Sequence, residues 1–311
     1  MKLRPLPLAA AALLLATAPA CKKPKKTDPT RGLTAAKLLA DGEAYLKAGK
    51  LEEGRRMLRV LEENLPGTPE FPKAKLMLAD SFFFDKGRRF AEASVEYASF
   101  LNYFPRSEQR DYALYHIALA NYSGIETAER DQSQTRKAIE TFQQLLQEAP
   151  GSAYAPDAKA KIVQCWRRLA EHELLVGIYY VKSGWYSGAE VRLKGLLETY
   201  PEYADRERAY YWLGEAMRQR FLSSSELNAF QKGFYQRVGK SPKDKLSKEE
   251  QAQWAKEFGA YEKAETARFR EEAKGFYQKL VESYPRGEWS TKAKDRLLEM
   301  GTRGVALELD S

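Results

Sequence analysis

Beyond its carboxylates, this chain offers few groups that do chemistry at neutral pH. There are two histidines, His116 and His172, and two cysteines, Cys21 and Cys165. A general acid–base pair, an activated nucleophile or a metal cage needs several such groups brought together. His116 lies between core positions of a helical pattern and reads as a packed side chain, and Cys165 reads as a packed thiol in another. No HExxH, CxxC, GxSxG or phosphate-cradling glycine loop is present. Pairs such as Glu249-Glu250 fall on helix surfaces. This inventory argues against an enzyme, one acting on peptidoglycan included, and against a resident metal or small-molecule cofactor.

Cys21 is the exception. Lys2 and Arg4 precede an apolar run from Leu6 to Ala18, and Ala18-Pro19-Ala20-Cys21 follows. The run is too short to span a bilayer and ends at small residues, so residues 1–20 read as a secretory signal peptide. Cleavage after Ala20 suits either a secreted protein with a chance cysteine or a lipoprotein. The place of Cys21, first after the cut, favours the lipoprotein, although Ala18 stands where a bacterial lipobox usually has leucine. Cys21 would then carry covalent diacylglycerol and an acyl chain, each buried methylene adding about 0.8 kcal/mol of anchoring. Lys22, not aspartate, comes next, which resembles an outer-membrane destination. Residues 21–33, with four lysines and two prolines, form a flexible tether reaching at most roughly 40 Å.

These groups hang on a repeated helical pattern. In Ala189-Glu-Val-Arg-Leu-Lys-Gly-Leu-Leu-Glu-Thr-Tyr-Pro201 a small residue stands twelve before the proline, and apolar residues stand eight, five, four and one before it. That is one face of a helix. The template recurs at Gly54 to Pro66, Ala93 to Pro105, Ala138 to Pro150 and Ala273 to Pro285. Eight residues after each proline comes an alanine: Ala74, Ala113, Ala158, Ala209, Ala293. The unit is a helical hairpin whose second helix is ended by proline, which lacks an N–H and disfavours helix in the residue before it. One such hairpin buries too little to fold alone, so the hairpins must stack. The fold expected is all-α, a right-handed superhelix (α-solenoid) of about five tetratricopeptide-like hairpins with a C-terminal capping helix.

The solenoid is expected over residues 34–300, with repeats at about 34–66, 67–105, 106–150, 151–201 and 202–285, a cap at 286–300 and a tail at 301–311. The third repeat's turn, Gly124 to Thr135, is long and polar; either it stays solvated, or its charged residues brace the repeat or meet a partner. The fourth repeat's first helix is lengthened by an apolar overhang, Glu171 to Val181, which must pack on something. The fifth carries an insertion at about 221–247, after which Ser247 and Glu250 form a capping box for a long helix. In Phe82-Phe83-Phe84 at least one ring must point outward. The formal charge is +8, but acidic and basic residues alternate along the helices. No basic stripe for nucleic acid is evident.

Between Arg130 and Pro201 the pattern sharpens: Arg130-Asp131-Gln132-Ser133, Pro150-Gly-Ser-Ala-Tyr154, Leu169-Ala-Glu-His-Glu173, Tyr179-Tyr180, Gly184, Arg192 and Tyr200-Pro201. Over roughly residues 34–220 this resembles the BamD family of lipoproteins, subunits of the outer-membrane β-barrel assembly machinery. The resemblance implies a non-enzymatic periplasmic scaffold, lipid-anchored to the outer membrane. Its implied partners are a POTRA domain of the barrel-forming subunit, other assembly lipoproteins and unfolded β-barrel substrates. In that family an arginine early in the second helix of the fourth repeat contacts the POTRA domain, and Arg192 holds the matching position. Trp185, Arg130 and Asp131 complete the implied partner surface. Tyr45, Phe83 and Tyr97 are candidates for a substrate groove. Another periplasmic adaptor lipoprotein, for envelope coordination or as a secretion-pore pilotin, is the alternative.

Overall fold

The structure is a computed structural model and describes residue 30 and residues 32–301. The expected signal peptide, Cys21, nearly all of the tether, and residues 302–311 of the tail lie outside the described residues. Among the described residues there are twelve helices and no strand. They are α1 (Ala35–Lys47), α2 (Leu51–Asn64), α3 (Phe71–Phe83), α4 (Phe90–Tyr103), α5 (Arg110–Ser123) and α6 (Ser133–Glu148). The remainder are α7 (Ala155–Lys182), α8 (Tyr186–Thr199), α9 (Arg206–Gln219), α10 (Ser224–Arg237), α11 (Lys248–Ser283) and α12 (Glu288–Glu299). The chain forms two compact units, Met1–Ala74 and Lys75–Ser311, so the division falls inside α3 and not after a complete repeat.

In the first unit, Thr34 caps α1 by accepting the Lys37 N–H at 3.3 Å. Gly49, at φ 74°, takes the left-handed conformation that turns the chain into α2. The two helices meet through Gly42 and Gly54, where a Cβ would press on Leu58 and Leu46 side-chain carbons at 3.0 and 2.7 Å.

In the second unit the helices pack in a regular alternation. Hairpin partners α5–α6, α7–α8 and α9–α11 touch, and so do the successive neighbours α4–α5, α6–α7, α8–α9 and α11–α12. The template explains why. Ala93, Ala113, Ala138, Ala158, Ala189, Ala209, Ala273 and Ala293 are all wholly buried, which lets backbones approach closely. Tyr97, Phe142, Leu193 and Tyr277, eight before their prolines, are buried as well. Ile117 departs from the pattern: Leu114 and Ala118 take the buried positions and leave it partly exposed.

Proline termination has one stereochemical signature throughout. Leu65, Phe104, Ala149, Tyr200 and Tyr284 each precede a proline, and each has φ between −121° and −137° with ψ between 45° and 66°. Each still donates its N–H to the carbonyl four residues back. Proline bars the residue before it from helical ψ, so the last turn closes and the chain leaves.

The long α7 carries the apolar overhang, and Leu174, Ile178 and Val181 are buried in one core cluster with α8 and α9 residues. Phe82 is buried while Phe84 points outward at 67% exposed. The stretch 221–247 is not a mere interruption. Ser223 caps α10 in a capping box with Glu226. Phe230 of α10 stacks on Tyr261 of α11 at 4.8 Å, so the segment folds against the first turns of the long helix.

Candidate partner-docking surface

Exposed apolar side chains and an anchored charge come together on the α7–α8 hairpin. Gly184, at φ 76°, turns α7 into α8 and leaves Trp185 at the helix start, 64% exposed. Tyr179 is 64% exposed and Val191 71% exposed. Such side chains mark interaction surfaces when they cluster. Tyr180 is the hub: its ring lies 5.5 Å from Trp185 and 6.1 Å from Tyr179. Gly188 makes room for it, since a Cβ there would sit 3.0 Å from the Tyr180 ring.

Arg192 is held on this face. One guanidinium nitrogen donates to both carboxylate oxygens of Glu173 on α7, at 3.0 and 3.2 Å. The Glu173 hydrogen bond, with its charge, raises the Arg192 pKa, and the Tyr180 side chain adds to the shift. Arg192 remains 43% exposed while Glu173 is mostly covered. A shallow depression of about 310 Å³, lined by Glu173, Val191, Arg192, Gly195, Thr199 and Tyr200, opens beside the pair. The arrangement presents a pre-positioned cation beside exposed apolar side chains. An incoming carboxylate would share the guanidinium with Glu173.

Arg130 and Asp131 are exposed on the loop between α5 and α6. That loop is braced, by Gln132 and His172 as well as by the Asp131 carboxylate. Gln132 is buried and donates to the Thr127 and Arg130 carbonyls, and accepts from the Thr135 hydroxyl at 2.8 Å. The ring Nδ1 of His172 sits 2.6 Å from the Ala128 carbonyl, tying the loop to α7 next to Glu173. Asp131 accepts the Ser133 N–H at 2.8 Å, and hydrogen bonding from Ser133 holds its carboxyl below the usual range.

The groove candidates fare differently. Tyr97 is wholly buried, so it cannot line a groove. Its hydroxyl donates to Asp80, which also accepts from Tyr112 at 2.8 Å. Burial first, then the Asp80 charge, drives the Tyr97 pKa far upward. Phe83 is half-buried and packs on Phe90, Tyr97 and His116. Tyr45, in the first unit, is half-buried, with Lys50 Nζ 5.9 Å over its ring. Phe84 is the outward ring that the phenylalanine run requires, whereas exposed Val191 and Phe221 leave no mark in the sequence, because a helical template marks the buried face and says nothing of which outward residues are apolar.

As for chemistry, Cys165 is buried, and burial pushes its thiol up to about 11. Burial also lowers the pKa of His116, whose Nδ1 lies 2.9 Å from the Tyr112 carbonyl. Among the described residues no group of His, Cys, Asp and Glu could hold a metal ion, and no helix is long and apolar enough to cross a membrane.

Comparison with known families decides the placement. The family model described as YfiO, outer membrane lipoprotein, matches residues 32–231. The chain belongs to the YfiO family. YfiO relatives are named outer membrane protein assembly factor BamD. That of Haemophilus influenzae is 27% identical over 197 residues, 60% of this chain and 74% of its own. That of Caulobacter vibrioides is 28% identical over 217 residues, 68% of this chain and 70% of its own. Among solved structures, a tetratricopeptide repeat protein from Parabacteroides merdae covers 86% of this chain and 94% of its own, at 16% identity and a TM-score of 0.31, too weak a likeness to carry an argument. The YfiO match contains the whole α7–α8 surface and stops within α10, short of α11 and α12.

Proposed function

We propose that this YfiO-family chain is a non-catalytic scaffold lipoprotein of the outer-membrane β-barrel assembly complex. It docks a POTRA domain of the barrel subunit on the α7–α8 face and helps receive unfolded barrel substrates. A lipid on Cys21 holds it at the periplasmic face of the outer membrane. Other assembly lipoproteins bind elsewhere on the scaffold. The names of the relatives support membership in the assembly pathway.

The observation that carries the docking reading is the Arg192–Glu173 pair beside exposed Trp185, Tyr179 and Val191. A cation fixed in position costs less entropy to engage than a free one, and aromatic neighbours supply apolar contact. Affinity purification of the full chain from envelope extracts, read by mass spectrometry, tests the assignment. Recovery of the POTRA-bearing barrel subunit is expected. Recovery of a secretin or of cell-wall synthases in its place would replace this reading with that of another periplasmic adaptor.

A further inference from the structure

The helix α7 belongs to two repeats at once. It has 28 residues, twice the 14 of α5 and of α9. Its first half, through Ala158, Ile162, Cys165 and Leu169, is buried in one cluster with α5 and α6 residues. Its second half, through Leu174, Ile178 and Val181, is buried in another with α8 and α9 residues. The stack is therefore offset along α7 by half the helix, roughly 21 Å.

Each half leaves bare the flank that is covered on the other half. The stripe Val163, Trp166, Ala170, Leu174, Gly177, Val181 runs along α7 in steps of three and four residues. From Ala170 onward it is buried, with Leu193 of α8 against Gly177. Before Ala170 it is open, with Trp166 45% and Val163 43% exposed. The other flank shows the reverse: Cys165 is buried on it, and Tyr179, about four turns on, is exposed. Lys159, one turn before Val163, and Arg167 are exposed, and neither meets a carboxylate among the described residues. The acids of this stretch are taken. Asp157 accepts the Tyr115 hydroxyl at 2.6 Å, and Glu171 pairs with Arg168 at 3.1 Å.

We infer that this open stretch of α7 seats a helix of a partner protein whose facing side carries apolar residues flanked by glutamate or aspartate. Packed helices bury the same stripe further along, and a partner helix continues that cover where α8 and α9 do not reach. Trp166 and Val163 are the apolar anchor, and the two unmatched cations select an acidic partner. The site goes beyond the docking role of Arg192 and does not depend on it.

The test uses the purified full chain and a fluorescently labelled, end-capped peptide of repeated Glu-Leu-Ala-Glu-Leu-Leu-Glu heptads, read by anisotropy. The same peptide with lysine at every glutamate is the control. The acidic peptide should bind saturably and at least tenfold more tightly than the basic one. Trp166→Ala should weaken it at least tenfold with the helical circular dichroism unchanged. Should that variant misfold, the double substitution Lys159→Glu, Arg167→Glu, at two exposed positions, should weaken it as much. Equal binding of the two peptides, no saturable binding, or indifference to these substitutions would each overturn the assignment. So would a dimer of the chain in sedimentation that Trp166→Ala dissolves, since the face would then belong to a second copy. No POTRA fragment enters the assay, so its result is separate from the outcome at Arg192.

Discussion

The Tyr277 hydroxyl on α11 donates to the buried carboxylate of Glu215 on α9 at 2.8 Å. The same carboxylate takes Arg296 Nε from α12 at 2.7 Å and Arg218 Nη2 from its own helix at 2.8 Å. One acid thus ties three helices at the end of the second unit. A fourth donor, Gln219 Nε2, reaches it at 3.1 Å. Glu215→Gln keeps the shape but removes the charge that these donors share. It should cost about 1–3 kcal/mol, since buried donors lose a full acceptor. Chemical denaturation of the two proteins checks this.

The pH dependence of that clasp has a definite sign. Burial raises the Glu215 pKa, but hydrogen bonds from Arg218, Tyr277 and Arg296 outweigh it, so the folded carboxyl titrates below its ordinary 4.5. A depressed folded pKa contributes stability that is present above 4.5 and lost as pH falls through the folded value. The stability gap between wild type and Glu215→Gln should therefore be full at pH 7 and narrow on acidification below 4.5. Urea titrations across that range measure it. A gap that widens in acid would contradict the clasp.

Glycines in the helices divide into two groups. A Cβ on Gly214 would lie 2.4 Å from the Tyr277 ring, and one on Gly177 would lie 2.6 Å from Leu193. Both partners are wholly buried and have nowhere to go. Gly214→Ala and Gly177→Ala should each destabilise by about 1–3 kcal/mol. A Cβ on Gly275 of α11 meets nothing within 4 Å, so Gly275→Ala should stabilise by about 0.5–1 kcal/mol. Thermal melts of the three variants distinguish the groups by sign.

Tyr97 is a structural residue. Tyr97→Phe removes one donor from Asp80 and leaves Tyr112 in place. A loss of about 1 kcal/mol in unfolding free energy is expected. The proposed capture of an unfolded barrel substrate, measured by crosslinking, should be unchanged.

What could be read from the chain alone followed from local stereochemistry. Proline acts on the residue directly before it, so Leu65, Phe104, Ala149, Tyr200 and Tyr284 end their helices wherever the tertiary structure places them. Alanines in register with those prolines mark close helix contact for the same reason. Tyr97 stands eight before Pro105, on the buried face of its helix, and that position, not its aromatic type, decides its place in the core. Ser223 was a capping signal hidden in a serine run. Pairings across helices leave no local trace. Nothing near Arg192 in the sequence names Glu173, and nothing near Trp212 names Trp289. The division at Ala74 was equally hidden, because it cuts a helix that is continuous in sequence pattern.

The docking role proposed for the α7–α8 face rests on Arg192, and calorimetric titration of the full chain with a POTRA fragment of the proposed barrel subunit tests it directly. Arg192→Glu places a carboxylate against Glu173 and against any acidic partner, while Leu193 and Ala189 beneath remain buried. At least a tenfold weaker Kd is expected, with an unchanged melting profile. An affinity equal to that of the wild type would contradict the docking role of this face.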